Sequence, residues 1–485
     1  MILSRHNSMC STMTLATLSG SAFPSMLFIK TRKRLYMSAC TGNILALIVG
    51  LCFGWSSPYL PKLKEAAHIK ENPLGRLITY DEASWLGSLL PLGAIFGTFI
   101  AGYCAQKIGR RKTMLFNIVI PFAVAFLIFA FADNIYSFYL ARFVSGVTVS
   151  GVYTVVPMYL AEISEDEVRG FVCASIMTFE TCGELIIYCI GPYVTIFASS
   201  MFGVCVCLVA ALSIIFILPE SPYYLLSIND KERAEKSLMK LRSETKEQVA
   251  FELEFMTAVM QEASGIQGTF LDLWKTKASR RAEVITLGLT IFQHWSGIVP
   301  VLLYSQSIFE QTGSGIPPQF CTMAVGLVQF LASFVTPGLV DKLGRRLMLF
   351  MSAMGMFVSE MALGTYFYMK DSGEDVSRVF WLPVACLVLY IVSYVSGFGP
   401  LIWTIMGEIF PTHLKAVAFS VGVFFWWSMG FVVGRVFYPI SISVGMGGCF
   451  WLFSGFCFTA GIFILTYIIE TKGKNIIEIQ RLLNK

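Results

Sequence analysis

Long runs of apolar residues, almost free of charged side chains, fill most of this chain. A helix of about 20 such residues is long enough to cross the hydrocarbon core of a bilayer. Only 14% of the residues are charged and 55% are hydrophobic, whereas a soluble domain carries about 25% charged residues. Because lipid cannot satisfy backbone polar groups, only helices and closed barrels span it, and these runs are too long for barrel strands. The sequence therefore predicts an all-α polytopic membrane protein.

The twelve predicted transmembrane helices form two sets of six, separated by one long polar stretch. The first set covers residues 37–59, 84–104, 113–132, 137–161, 171–190 and 197–218. The second set covers residues 282–305, 318–340, 347–369, 380–405, 415–439 and 446–469. Five regions follow from this pattern: an N-terminal extension (1–35), a six-helix bundle (36–218), a linker with amphipathic helices (219–281), a second six-helix bundle (282–469) and a C-terminal tail (470–485).

Short charged motifs recur at matching places in the two halves. The loop Lys107-Ile-Gly-Arg-Arg111 recurs as Lys342-Leu-Gly-Arg-Arg346, each time between two apolar runs. Likewise, Glu162-Ile163 with Arg169 downstream recurs as Glu408-Ile409 with Lys415 downstream. A weaker pair is Pro219-Glu-Ser-Pro222 and Glu470-Thr-Lys-Gly473. These repeats indicate two related halves that place fixed charge at the same ends of corresponding spans.

The distribution of Lys and Arg predicts the orientation. The loops after spans two, four, six, eight and ten hold the Arg pairs, Arg169, the segment 219–281 and Lys415. The loops after spans three, five, seven and eleven hold no basic residue. Because basic loops remain cytosolic, both termini, including the extension 1–35, are expected in the cytosol. The net charge of +5 therefore reflects topology and does not indicate a nucleic-acid partner.

Residue types that carry chemistry are not arranged for an enzyme. Most of the 13 cysteines lie inside apolar spans, where cysteine acts as a small hydrophobe. They show no metal-ligand spacing. The sequence shows no nucleophile with a base and no phosphate-binding loop. We therefore expect neither a metal, a cofactor nor catalysis.

Taken in order, the motifs resemble the sugar porter branch of the major facilitator superfamily over residues 36–474. They are Gly102 with Gly109-Arg-Arg111, Arg142 with Gly146, Pro157-x-Tyr159-x-x-Glu162 with Arg169-Gly170, Pro219-Glu-Ser-Pro222, Gln293-x-x-Ser296-Gly297-Ile298, Asp341-x-x-Gly344-Arg-Arg346, Gly399-Pro400-x-x-Trp403 and Glu408-Ile-Phe-Pro411. Two stretches look most like the facilitated trehalose transporter group, namely Phe53-Gly-Trp-Ser-Ser-Pro-Tyr-Leu-Pro61 and Gly326-Leu-Val-Gln329.

The resemblance implies two six-helix halves with a substrate site between them, exposed alternately to either side of a bilayer. It also implies gating roles for charged residues at the cytosolic ends of the spans, for one arginine within them and for an outer-gate tyrosine. These gating residues are Tyr304, Arg110, Arg111, Arg142, Glu162, Arg169, Asp341, Arg345, Arg346, Glu408 and Lys415. In one repeat Gln106 replaces the usual aspartate, so we expect that corner of the cluster to be weaker.

The same resemblance implies a set of polar and aromatic side chains that contact a sugar. They are Gln293, His294, Gln329, Trp403, Trp427 and Met177. Several of the family's amide positions are changed: the second of two glutamines is His294, and the others are Val299, Met177, Trp426 and Gly430. This pocket is predicted to have fewer amides and more bulk than a hexose site, so a different substrate stays open.

The resemblance implies facilitative transport of a sugar, either a hexose or a disaccharide such as trehalose, and we expect the plasma membrane as its location. Proton-coupled relatives carry an aspartate on span one, where this chain has Ser56. Glu180 and Glu184 on span five lie four residues apart and share one helix face. They leave open a proton-coupled symporter, although pairing with Arg142 or a water-lined surface also explains them. A sensor that transports nothing is the third alternative.

Overall fold

The computed structural model describes residues 32–64, 72–263, 269–312, 316–474 and 476–484. Most of the predicted N-terminal extension 1–35 lies outside these residues. Within the described ranges the regular secondary structure is helical throughout. The all-α class predicted from the apolar runs is confirmed.

The N-terminal half consists of α1 to α8. Their bounds are α1 (Lys33–Gly54), α2 (Ser56–Lys64), α3 (Tyr80–Ile108), α4 (Arg110–Thr113), a π-helical turn (Met114–Val119), α5 (Ile120–Ala130), α6 (Ile135–Ile163), α7 (Asp166–Ile190), a 3-10 turn (Gly191–Tyr193) and α8 (Ile196–Phe216). The linker contains α9 (Pro222–Ser227), α10 (Lys231–Arg242), α11 (Lys246–Ala263) and α12 (Asp272–Lys275).

The C-terminal half consists of α13 to α19 and is followed by α20. Their bounds are α13 (Lys277–Trp295), α14 (Ile298–Thr312), α15 (Pro318–Leu343), α16 (Arg345–Asp371), a 3-10 turn (Ser377–Val379), α17 (Leu382–Ser396), α18 (Phe398–Ile409), α19 (Thr412–Tyr467) and α20 (Ile476–Asn484). We call the side of the bundle that carries the linker and α20 the linker side, and the opposite one the far side.

Eleven helical stretches of the described residues are long and apolar enough to cross a membrane. The last, Leu414–Tyr467, has 54 residues, or about 80 Å of helix, more than twice the hydrocarbon thickness. It is interrupted at Gly445, whose φ is +74°, a conformation that glycine adopts readily. The stretch therefore supplies two crossings, and the twelve-helix arrangement agrees with the predicted one.

Three spans that the sequence predicts as single helices are interrupted within their length. The first breaks at Trp55, the seventh at Ser296-Gly297 and the tenth at Gly397. Gly297 has φ +83°, and a Cβ there would lie 2.9 Å from the Phe453 ring. Such breaks are tolerated at membrane depth only where protein or a cavity surrounds the freed backbone. They mark the interior of the bundle as the functional region.

Small residues bring the helices of the N-terminal half into close contact. A Cβ on Gly93 or Gly97 of α3, or on Gly146 of α6, would overlap backbone atoms of the other helix. Gly50 of α1 and Gly183 of α7 form a second close crossing of the same kind. Helices in lipid associate through such packing because the hydrophobic effect does not drive them together there.

The linker helices dock on the end of α6. Leu238, Val249 and Met256 form the centre of a small apolar core of their own. Arg242 donates to Glu252 Oε1 (2.7 Å) and to the carbonyl of Ile163 (2.9 Å). This buried arginine therefore attaches the linker to the N-terminal half at the linker side.

Candidate functional site

Gln293 lies at the centre of the bundle and has both ends of its amide engaged. It is 1% exposed, on the last turn of α13 before the break. Its Nε2 donates to the Tyr394 hydroxyl (2.9 Å), and its Oε1 accepts from Trp426 Nε1 (2.7 Å). The amide therefore orients one tyrosine and one tryptophan of the C-terminal half around the interior.

Tryptophans extend this group into an aromatic wall. The ring of Trp426 lies 4.6 Å from that of Trp427, edge to face, and 5.8 Å from that of Trp403. Trp427 in turn lies 6.0 Å from Tyr153 of the N-terminal half. Trp403 and Trp427, predicted to contact the substrate, are thus brought together, and the contact with Tyr153 crosses between the halves.

The opposite wall is acidic and comes from α7. Tyr153 donates its hydroxyl to Glu180 Oε1 (2.5 Å), and Gln329 Nε2 donates to Glu184 Oε2 (2.7 Å). Gln329, a predicted contact residue on α15, therefore bridges the halves through Glu184. Of the other predicted contact residues, Met177 lies on the same helix, one turn before Thr181, and is half-buried against the core.

His294 lies beside this group and points its two ring nitrogens to different surroundings. Nδ1 lies 3.0 Å from the carbonyl of Thr290; because a carbonyl only accepts, Nδ1 carries the proton. The ring meets Trp426 edge to face at 4.9 Å. A Cβ on Gly430 would lie 3.4 Å from Nε2, so the missing side chain at Gly430 makes room for the imidazole.

Arg142 is fully buried and held by neutral groups. It donates to the carbonyls of Leu86 (2.9 Å) and Cys52 (2.8 Å) and to the hydroxyl of Ser56. Cys52 is in the last turn of α1, where the helix dipole presents partial negative charge. The guanidinium also lies 5.4 Å from the Trp55 ring. Neither Glu180 nor Glu184 pairs with it, contrary to one of the two structural explanations that the sequence left open.

Contacts between the halves close the far side. Arg435 of α19 pairs with Asp81 and donates to Ser84 Oγ (3.0 Å), both on α3. The predicted gate residue Tyr304 stacks on Phe437 at 5.2 Å and lies with its hydroxyl directly against Gly87. Neither Arg435 nor Asp81 is among the predicted gating residues.

Charge pairs on the linker side form within each half. Arg110 donates to Glu162 Oε1 (2.7 Å) in the N-terminal half, and Arg345 to Glu408 Oε1 (3.1 Å) in the C-terminal half. The side chain of Arg111 donates to the carbonyl of Ile214 (3.1 Å), at the end of α8.

Arg346 repeats the behaviour of Arg111 by donating to the carbonyl of Leu465 near the end of α19. In each of the two duplicated arginine pairs, the two arginines therefore bind different kinds of partner. The first arginine binds a glutamate, and the second binds free carbonyls at a helix C-terminus, which a cation stabilises.

Two further glutamates explain the weak repeat after spans six and twelve. Glu220 accepts from the backbone N–H of Arg110 (2.9 Å), and Glu470 accepts from those of Arg345 (3.0 Å) and Arg346 (3.1 Å). Each carboxylate thereby caps a helix that begins after a glycine with positive φ, Gly109 or Gly344.

The two capping carboxyls differ in acidity. Burial raises the pKa of Glu220, and its N–H donors only partly offset this. Burial also acts to raise the pKa of Glu470, but the N–H donors of Lys472, Arg345 and Arg346 outweigh it, so the pKa is lowered. The cap in the N-terminal half therefore loses its charge first as the pH falls.

The remaining predicted gating residues lie at the same surface. Arg169 donates to the carbonyl of Ser164 (3.3 Å). Lys415 lines a surface cavity of about 290 Å³ together with Glu408. Asp341 belongs to the end of α15, and its side chain lies outside the described residues.

Residues that sequence reasoning did not assign to the site include Tyr394 and Tyr153, whose partners are 101 and 27 residues away along the chain. A tyrosine within an apolar run gives no signal that separates it from packing. Glu220 and Glu470 do carry a recognisable signal in the sequence, because both follow the last span of their half.

Comparisons with known proteins agree with this architecture. The sequence profile of the family described as "Sugar (and other) transporter" matches residues 42–483. The chain belongs to this family. It is 34% identical over 447 residues to "Facilitated trehalose transporter Tret1" of Anopheles gambiae, covering 92% of this chain and 55% of that protein. The relative of the same description from Culex quinquefasciatus is also 34% identical, and 85% of it is covered.

The chain thus spans about half the length of the Anopheles relative. Among solved structures, the fold resembles the inward open conformation of the xylose transporter XylE from E. coli, with a TM-score of 0.74 and 21% identity over 92% of this chain and 99% of that one. A partially occluded inward open form of the same transporter gives a TM-score of 0.73. This member of the sugar transporter family is therefore an integral membrane protein with the major facilitator fold.

Proposed function

We propose that the protein carries a small hydroxylated solute across a membrane by alternating access, without coupling to an ion gradient. One observation carries the proposal. Contacts between the halves, such as Arg435 with Asp81 and Tyr304 with Gly87, gather on the far side. On the linker side, Arg110 and Arg345 pair within their own halves. A bundle closed on one side over a polar interior is one of the two states that alternating access requires.

The family and the relatives named as trehalose transporters support a sugar or sugar-like solute. The interior offers groups suited to such a solute, namely the amide of Gln329 and the ring of Trp403, while Gln293 orients the aromatic side chains around them. Amides bind hydroxyls, and aromatic rings pack on the apolar face of a sugar. We place both termini in the cytosol, as the basic loops indicate, and we propose the plasma membrane as the membrane that holds the protein. A labelled panel of hexoses, disaccharides and polyols in reconstituted vesicles tests this function.

Transport should be passive. Among the described residues, the acceptors of Arg142 are all neutral, and Ser56 occupies the position where a coupling carboxylate would have to stand. Solute should therefore equilibrate across the vesicle membrane and not accumulate when a pH gradient is applied. Accumulation that collapses with a protonophore would refute this. In that case Glu180, which is hydrogen-bonded to Tyr153, becomes the proton carrier to test.

The linker-side charges should govern the inward–outward equilibrium. We propose that Arg345 and Glu408, paired here within the C-terminal half, bind across the halves when the linker side closes. Replacing both by alanine should lower the outward-facing population about fivefold, since such a pair at a wet rim contributes up to about 1 kcal/mol. Net uptake should slow accordingly.

A cysteine introduced at Thr404, on the half-buried face of α18, reports this change through its reaction with a thiol reagent on the linker side. The ion pair of Glu232 and Lys236 on α10 provides the matched control, because it is exposed and lies in the linker. If the variant lacking Arg345 and Glu408 is labelled at the same rate as the parent and the control variant, these two residues only set the topology.

A further inference from the structure

We propose that the solute carries a protonated amino group, and that Glu180, Glu184 and Gln329 receive it. This deepens the proposed transport function and rests on it. The chemical class is a hydroxylated amine, such as an amino sugar, instead of a neutral sugar. The proposal depends on the partners of the two carboxyls, on an acceptor atom between the halves and on the aromatic wall opposite.

The two carboxyls have neutral partners. Glu180 accepts from a tyrosine hydroxyl and Glu184 from a glutamine amide, on one face of α7. Glu184 is 2% exposed. Within the described ranges no cation pairs with either carboxyl, and Arg142 is engaged by Ser56 and two carbonyls. Acidic groups at membrane depth are costly without a partner, and a cationic ligand would supply one to both carboxyls at once.

Gln329 supplies the second observation. It is 7% exposed, and its Oε1 is buried without a hydrogen-bond partner. With Nε2 donating to Glu184, the Oε1 of Gln329 is left as a buried acceptor beside that carboxyl. An unsatisfied buried acceptor beside a carboxyl calls for a donor with several N–H bonds. A primary ammonium, with three donors and no acceptor, fits this arrangement.

The wall opposite the carboxyls suits a cation as well. Tyr153, which binds Glu180, lies 6.0 Å from the ring of Trp427, and Trp427 lies 4.6 Å from that of Trp426. Aromatic faces attract ammonium groups by their quadrupole, more strongly when water is excluded. The amide of Gln293 is already held by Tyr394 and Trp426. The interior is therefore poorer in free amides for hydroxyls than in acceptors for a cation.

Uptake of three matched probes tests the proposal in vesicles containing the full chain. The probes are glucose, glucosamine and N-acetylglucosamine, at a pH that protonates the amine. We expect glucosamine to be taken up at least tenfold faster than both neutral probes. Its steady-state level should also rise about tenfold with a potassium potential of about 60 mV, inside negative, because charge movement couples to voltage. Neutral probes should not respond to the potential.

Variants of the carboxyls assign the effect. Glu184→Gln and Glu180→Gln should each weaken glucosamine binding by about 10- to 150-fold, as expected for loss of a hydrogen bond to a charged group. Glu360→Gln is the matched control. Glu360 is a buried carboxyl of α16 that accepts a hydrogen bond from the Cys457 thiol and, among the described residues, makes no hydrogen bond to Glu180, Glu184 or Gln329. The control variant should leave glucosamine binding unchanged.

The outcomes separate this inference from the function on which it rests. The amine proposal would be overturned if glucose or a disaccharide is taken up equally well by the parent, Glu180→Gln and Glu184→Gln, without inhibition by glucosamine. Sugar transport would then still stand. Uptake of none of the probes or panel sugars would overturn transport itself. Choline distinguishes the recognition further, because it has no N–H donors; if it competes as well as glucosamine, Gln329 does not receive the cation.

Discussion

Replacing Gln293 by alanine should weaken solute binding about 5- to 150-fold. Its amide donates to Tyr394 and accepts from Trp426, so the substitution removes the partner of two half-buried polar groups. A buried group without its partner costs about 1–3 kcal/mol. Moreover, Trp426 is released from its defined position against Trp403 and Trp427. Titration of the purified protein with a transported solute, followed by tryptophan fluorescence, measures the change in Kd.

A buried amide elsewhere in the bundle provides the control. Asn43 on α1 is 1% exposed and donates to Ser175 Oγ (2.6 Å), within the N-terminal half. Asn43→Ala should lower the thermal stability but leave the Kd unchanged. Trp403→Ala should impair both binding and turnover, because Trp403 belongs to the wall on which the solute packs. If Gln293→Ala and Trp403→Ala both bind and transport like the parent, the solute site lies elsewhere and the sensor alternative gains weight.

The helical architecture could be predicted because membrane spans need only length and low charge, which are local properties of the sequence. The breaks within spans could not. Gly297 and Gly397 lie in apolar stretches that satisfy the same criterion as an unbroken helix. At Gly297 the backbone has positive φ and lies close to the Phe453 ring, which is 156 residues away along the chain. A hydropathy pattern does not contain that contact.

The site was predicted unevenly for a similar reason. Gln293, Trp403 and Trp427 could be placed by resemblance to the family, and the structure brings them together. The pairing of Gln329 with Glu184 joins helices 145 residues apart, so only the folded bundle reveals it. The sequence suggested Arg142 as a partner for the span-five carboxyls. Arg142 instead binds the end of α1, because the break at Trp55 leaves carbonyls such as that of Cys52 within its reach.

Valine at Gly87 should hold the far side open and reduce solute uptake about 5- to 150-fold. Tyr304 places its hydroxyl directly against Gly87, and its Cζ would lie only 3.1 Å from an added Cβ. Tyr304 is itself confined between Phe437 and Tyr438. Because the tyrosine cannot retreat, the closed arrangement would lose about 1–3 kcal/mol by overpacking, which shifts the equilibrium towards the outward-open form.

Two measurements should change together in the Gly87→Val variant. Vesicle uptake should fall, and the distance between spin labels at Tyr136 and Ile442, exposed residues on the far side of the two halves, should lengthen. Gly102 on the same helix is the matched control, since the nearest atom to a Cβ there is Thr154 Cγ2 at 4.0 Å. Gly102→Val should leave both measurements as in the parent. A Gly87→Val variant that takes up solute normally would show that the far side opens and closes without Tyr304 meeting α3, and the gate would then rest on the Arg435–Asp81 pair.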